Sequence, residues 1–330
     1  MSAHKSIGGF FELELPSKGA IYHENAIALA NGRVCFKVIL LEKKPTHVYL
    51  PFYSCDSLLE PLNDLNIPYT YYFLDENLEP IKDFEVKNTE LMLRINHFGL
   101  QNSENTKPAL MGVVWDNTQA FFDKPTDGKN WHFNSARKFF GVPDGGFLYA
   151  PAHFSLDKYK KIKENTPKTE HLWLRLIGKQ ADAYAAYQEN EAAQNADLAQ
   201  MSDFSTQILR GVSFEKVAEK RRENFQKLHA ALSHLNILSP KITTLAASKV
   251  PFCYPLLLDF EIDKTIFYKQ NIFIPTLWTD VLTRKTKQKT QKTPHFEEKL
   301  VKNLLPLPID QRLNDDDLAR LTQSILVLNP

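Results

Sequence analysis

Five short apolar runs constrain this chain more than any other feature. They are His47–Leu50, Pro68–Leu74, Leu91–Ile95, Leu110–Trp115 and Gly146–Tyr149. Helical patterns fall among them. After Asn31-Gly32, the residues Val34, Val38 and Leu41 recur at helical spacing with Phe36, Ile39 and Leu40, and Leu58–Leu65 reads as a second helix. Strands alternating with helices require crossover connections, and crossovers build a mostly parallel sheet with helices on both faces, an α/β fold. In such sheets ligands sit beyond the carboxyl ends of the strands. Tyr53 to Asp56, His97, Asp116 and Lys138 all fall just after the expected strands.

The rest of the chain reads differently. Ile7–Leu15 is an apolar arm, and Asn25–Ala30 is expected to form a short helix. From Ser155 the texture is helical, over Ser155–Glu164 and His171–Leu232, and the last of these carries Arg221-Arg222. Pro251–Phe260 is expected as a strand, Ile262–Gln270 as a helix and Asn271–Pro275 as a second short strand. The acids of Asp315-Asp316-Asp317 suit the N-terminal dipole of a last helix. At 330 residues the chain has length for two lobes. We expect a large domain over residues 1–200 and, over 201–330, a helical connection with a small C-terminal α+β lobe.

Composition removes several function classes. A net charge of +1 gives no overall attraction to nucleic acid or to an anionic membrane. Three scattered cysteines, Cys35, Cys55 and Cys253, form no Cys-x-x-Cys pair, so reduced thiols and no metal site are expected. No window approaches a membrane span, and Met1–Leu15 does not have the form of a signal peptide, so the expected location is the cytoplasm. The basic run from Arg284 to Lys292 reads as a solvated loop.

Asp116 and Lys138 suggest a chemistry. They lie 22 residues apart, each near a strand end. A carboxylate closing a hydrophobic strand is costly unless it meets a cation. Such an acid can keep a pyridine nitrogen protonated, so that the ring drains electrons, while a lysine holds the same cofactor as a Schiff base; this is what pyridoxal 5'-phosphate (PLP) needs. A helix beginning at Gly32-Arg33 would aim free N–H groups at an anion, and Arg33 adds charge. Taken singly, each residue has a plainer reading: Asp116 as a helix cap, Lys138 as a surface lysine beside Arg137, Gly32 in an ordinary turn, His97 as a hydrogen-bonded structural residue.

Together these residues resemble the DegT-type nucleotide-sugar aminotransferases, PLP enzymes of the aspartate aminotransferase fold (fold type I). Asp116-Asn117-Thr118-Gln119-Ala120 resembles the family's Asp-x-Ala-Gln-Ala, and Lys138 with Gly145-Gly146 resembles its Schiff-base lysine and Gly-Gly. Asn31-Gly32-Arg33, Pro51 to Cys55, His97-Phe98-Gly99, Met201-Ser202 and Leu305 to Pro308 match further motifs in order. The resemblance implies Lys138 and Asp116 as catalytic residues, Gly32, Arg33 and Ser135 around the phosphate, Gln119 at the 3'-oxygen, and Tyr53 and Cys55 beside the ring. It also implies a homodimer acting on small molecules: an amino donor, glutamate in the leading case, and a keto acceptor such as a nucleotide-linked keto-sugar. Three departures mark a divergent, shortened member. The segment between Asp116 and Lys138 is short, Cys55 stands where a stacking aromatic is usual, and no asparagine shortly before Met201-Ser202 has a clear place in the motif. The alternatives are a PLP-dependent dehydratase or lyase, against which Lys138 speaks, and a non-catalytic binding protein.

Overall fold

The structure, a computed structural model, describes residues 13–15, 19–81, 84–101, 112–125, 128, 130–284 and 295–328. The N-terminal arm, apart from 13–15, and the basic run after Arg284 lie outside the described residues.

The elements follow in chain order. Strand β1 (Ile27–Leu29) leads to helix α1 (Gly32–Lys43), strand β2 (His47–Pro51), helix α2 (Leu59–Asp64) and strands β3 (Tyr69–Tyr72), β4 (Glu90–Ile95), β5 (Val113–Asn117), β6 (Trp131–Ser135) and β7 (Gly146–Tyr149). Helices α3 (Glu170–Leu176), α4 (Gln180–Ala193), α5 (Asp203–Arg210), α6 (Phe214–Leu232) and α7 (Pro240–Thr243) come next. The chain closes with β8 (Tyr254–Leu257), α8 (Thr265–Tyr268), α9 (His295–Asn303), β9 (Leu304–Leu307) and α10 (Asp315–Leu326).

Seven strands form one sheet in the order β1-β7-β6-β5-β4-β2-β3. The block from β6 to β3 is parallel, as the alternation requires, and β7 and β1 add an antiparallel edge. A separate antiparallel pair, β8 with β9, forms the small α+β unit with α6 and α10, whose apolar faces bury Phe225, Leu228, Leu321 and Ile325 against it. Helix α1 covers one face of the large sheet. Val34, Val38, Ile39 and Leu40 pack on Val48, Leu93, Val114 and Phe133, and full burial of each such aliphatic side chain contributes about 1.5–3 kcal/mol. Asn31 caps α1, its side chain accepting from Val34 N at 3.0 Å. At the other end of the chain, Asn314 and Asp317 form a reciprocal capping box on α10.

Three expectations need correction. Asn25–Ala30 is not a helix: Ile27–Leu29 pairs with Gly146–Leu148 as an edge strand, so tertiary pairing overrides local propensity. Strand β6 was not expected. Its sequence, Trp131-His132-Phe133-Asn134-Ser135, puts polar residues at alternate positions, yet all five side chains are buried because the strand lies inside the sheet. Asn271–Pro275 has no ladder partner among the described residues, although Ile272 and Ile274 are buried on either side of an exposed Phe273.

Gly145-Gly146 has a packing reason. Gly145 has φ of +126°, open to glycine, and donates its N–H to Ala30 O at 2.7 Å. A Cβ on Gly146 would lie 2.6 Å from Asn31 O and 2.9 Å from Cys35 Sγ, so this glycine lets α1 start against β7. Gly146→Ala is expected to destabilise the fold by about 2–4 kcal/mol, since backbone rather than a flexible side chain must move. Urea denaturation would measure it, and a loss below about 1 kcal/mol would refute the close-approach argument.

Candidate active site

The parallel strands bring the expected residues to one edge. Asp116 lies near the carboxyl end of β5, opposite Ile95 of β4 and Phe133 of β6. Lys138 follows β6 by three residues, on the 3-10 turn Ala136–Lys138 that returns the chain into β7. Lys138 Nζ donates to Thr118 Oγ1 at 3.0 Å, and Thr118 N donates to Asp116 Oδ1 at 2.8 Å. One threonine therefore bridges the amine and the acid. Thr118 also touches the start of α1, where its Cγ2 would lie 3.3 Å from a Cβ on Gly32. The first-turn N–H groups of α1 have no intrahelical acceptor, so a potential anion site adjoins the pair.

The electrostatics fit a coupled acid and amine. Burial raises the pKa of Asp116, while Lys138 and the Thr118 bonds pull it back. Lys138 has its pKa lowered, first by loss of water; Asp116 and Cys55 oppose the shift, and Arg137 adds to it. The side chain still reaches solvent through a cavity of about 330 Å³, which Arg137, Arg221, Asp310 and Arg312 also line. An amine in such a place is more readily neutral than a surface lysine.

The other expected residues are placed as follows. Gln119 is buried, and its Oε1 accepts from Phe98 N at 2.7 Å, holding the left-handed Phe98-Gly99 turn against β5. Ser135 is buried at the end of β6, opposite Gly146. Arg33 pairs with Glu60 of α2 at 3.3 Å. Cys55 is half-buried and within electrostatic reach of Lys138. Tyr53 is fully buried, stacked on His97 with centroids 5.8 Å apart and edge-on to Trp278 at 4.5 Å. Arg137 forms an ion pair with Glu191 of α4. Arg284, at the head of the basic run, is bound by Asp56, Phe52 O and Ser54.

Two parts of the site carried no assigned role in the sequence. Thr118 stands inside the quoted motif, but only the fold shows that its hydroxyl bridges. Asp144, within Pro-Asp-Gly-Gly, is wholly buried and accepts from Ser202 N at 2.9 Å, Ser202 Oγ at 2.7 Å and Asn165 Nδ2 at 3.0 Å. It ties the lysine turn to the start of α5.

Two buried histidines give a pH dependence. Burial holds His23 down to about 3 and His97 down to about 4. The His23 ring donates to Phe121 O at 2.6 Å, and His97 Nε2 donates to Tyr53 O at 3.3 Å, both as neutral imidazoles. Unfolded histidine takes up a proton below about pH 6.5, whereas these two do not until far lower, so the unfolded state binds more protons in between. Stability is therefore fully present above about pH 6.5 and declines as pH falls, by about 2 kcal/mol per histidine at pH 5. Chemical denaturation at pH 7, 6 and 5 checks this, and an unchanged or rising stability would contradict it.

No protein-family model matches the chain, and no curated protein matches it. Solved structures do. The chain is similar to the sugar aminotransferase CalS13 from Micromonospora echinospora, with TM-score 0.61 and 13% identity over 91% of this chain and 86% of that one. It is similar to a DegT DnrJ EryC1 StrS aminotransferase from Brucella abortus, with TM-score 0.58 and 14% identity over 91% and 85%. It is also similar to Spr1654 from Streptococcus pneumoniae in its PLP-form, with TM-score 0.59 and 12% identity over 92% and 88%. The mostly parallel seven-stranded sheet with flanking helices is the fold type I architecture that these proteins share. At such identities the likeness establishes the fold.

Proposed function

We propose that this chain is a PLP-dependent aminotransferase of the DegT type, moving an amino group from an amino acid, glutamate in the leading case, to a keto acceptor such as a nucleotide-linked keto-sugar. The observation that carries the reading is the linked set Lys138 Nζ, Thr118 and Asp116 at the carboxyl edge of the parallel strands. The likeness to sugar aminotransferases, and to a protein solved in a PLP-form, supports it. Acid, amine and helix N-terminus together suit a phosphorylated pyridine aldehyde.

When bound, that cofactor supplies an electron sink for charge that develops beside the amino nitrogen. Asp116, buried against α1 and β4, would hold a proton on the ring nitrogen. Lys138, with its lowered pKa, would take the proton from the substrate carbon as a general base and return it as a general acid. The N–H groups of Gly32 and Arg33, with the Ser135 hydroxyl, would hold the phosphate. Gln119, whose Oε1 accepts from Phe98 N, would offer its amide N–H groups to the 3'-oxygen. Tyr53, packed on His97 and Trp278, and Cys55 would shape the wall beside the ring. A homodimer belongs to the same reading. The exposed Trp173, Leu176 and Tyr184 on α3 and α4 would lie in its interface, next to the Glu191–Arg137 pair.

The test is covalent. Purified protein loaded with PLP, reduced with borohydride and digested should carry the cofactor on the Lys138 peptide. Cofactor on other lysines only, or on none, overturns the assignment. Release of 2-oxoglutarate from glutamate by the loaded protein separates amino transfer from dehydration or lyase chemistry.

A further inference from the structure

Arg284 is a charge that the proposed chemistry does not use. It lies in the chain between α8 and α9, at the head of a basic run that reads in sequence as a solvated loop. The structure places it otherwise: its side chain is 5% exposed. The guanidinium reaches 228 residues back along the chain, to the loop that follows β2. Nε donates to Asp56 Oδ1 at 3.0 Å, and Nη2 donates to the same oxygen. Nη2 also donates to Ser54 O at 2.7 Å, while Nη1 donates to Phe52 O and, at 3.3 Å, to Ser54 Oγ. The fork of N–H donors is thereby fully engaged. The guanidinium carbon lies 4.9 Å from the centre of the Tyr71 ring of β3.

The loop it grips has little else to fix it. Residues 52–55 lie between the end of β2 and the 3-10 turn Asp56–Leu58, in no strand or helix. Charge-assisted bonds from a planar fork set the direction of two of its carbonyls. Trp278, from the same segment as Arg284, takes a left-handed backbone with φ of +56°, rare for an L side chain. Its ring stands edge-on to Tyr53 at 4.5 Å and to His97 at 5.7 Å. One segment thus holds the loop twice, Trp278 by the Tyr53 ring and Arg284 by the backbone and Asp56. The same loop carries Cys55, which acts electrostatically on Lys138.

We propose that Arg284 is a positioning residue: its clamp on residues 52–56 keeps Tyr53 and Cys55 as a fixed wall beside the cofactor ring and the Lys138 amine. The purpose rests on the aminotransferase reading, and the clamp itself does not. With its donors spent on the loop, Arg284 has none left for a substrate, so its loss acts through the wall alone.

Cys55 reports on the loop. Cys35 and Cys253 are buried, and burial pushes both of their thiols up, whereas Cys55 is half-buried. Iodoacetamide should therefore label Cys55 first in the cofactor-free protein. Arg284→Met should speed that labelling by about 10-fold, with Cys35 and Cys253 still unlabelled, and should hold PLP about 5-fold less tightly. Should that variant fold poorly, Asp56→Asn, on a side chain 44% exposed, should speed Cys55 labelling by about 3-fold. Mass spectrometry counts the labelled thiols. Labelling of all three together marks global opening and overturns the clamp. So does a Cys55 rate that matches wild type in both variants, or PLP held as tightly by Arg284→Met as by wild type. The two readings fail separately. Cofactor fixed on Lys138, with Cys55 labelling indifferent to Arg284, sinks the clamp alone. No cofactor on Lys138, with Cys55 labelling that depends on Arg284, sinks the aminotransferase reading alone.

Discussion

Lys138→Ala is expected to lower amino transfer by at least about 10⁴-fold while leaving the fold intact. Among the described residues the side chain makes one hydrogen bond, to Thr118 Oγ1, and otherwise stands in a cavity, so its removal takes little packing with it. Asp116 loses the cation that holds its own pKa down, so its carboxyl takes up a proton more readily rather than standing as a bare buried charge. The melting temperature should therefore change little, while borohydride no longer fixes cofactor at this position. Steady-state assay with glutamate, together with thermal melts, checks both halves. Activity within about 10-fold of wild type would mean that the amine is not the reacting group.

Asp116→Asn separates the charge from the shape. Asparagine can still accept from Thr118 N, so the turn after β5 survives. What disappears is the carboxylate that favours a proton on the ring and the ammonium form of Lys138. Amino transfer should fall by about 10³-fold, an effect of the size expected when one preorganised charge is taken from a reacting centre. The pKa of Lys138 should also move lower still, because the neighbour that raises it has gone. The pH dependence of its modification by an amine-reactive reagent would show this as a shift to lower pH. An acid that only caps the turn predicts otherwise: unchanged rate and unchanged titration, since asparagine caps as well as aspartate.

The ordering of strands and crossover helices was readable because parallel strands are buried on both faces and show as continuous apolar runs. Helix α1 was readable for a related reason, since Asn31-Gly32 and the following apolar residues give both its start and its buried stripe. Strand β6 was hidden. His132 and Asn134 are polar residues inside a sheet, and no local pattern separates that from a loop. The strand separates β5 from β7, which runs antiparallel beyond it. The pairing of Asp116 with Lys138 was still legible, because the acid closes one apolar run and the lysine lies shortly before the Gly145-Gly146 that opens the next. Thr118 and Arg221 were not: a bridging hydroxyl and a buried arginine depend on contacts between residues far apart in the chain, Thr118 with Lys138 and Arg221 with the Phe139 ring.

The acid and the amine are positioned by different registers. Asp116 is fixed by the ladder of β5 with β4, and Lys138 by the hairpin of β6 with β7, whose far end is locked by Gly145 and Asp144. The chain joining β5 to β6 therefore does not set the distance between acid and amine. Loop length becomes a free parameter: residues inserted into that crossover beyond Thr118 and Gln119 should leave the acid and the amine where they are, provided the strand ends keep their partners.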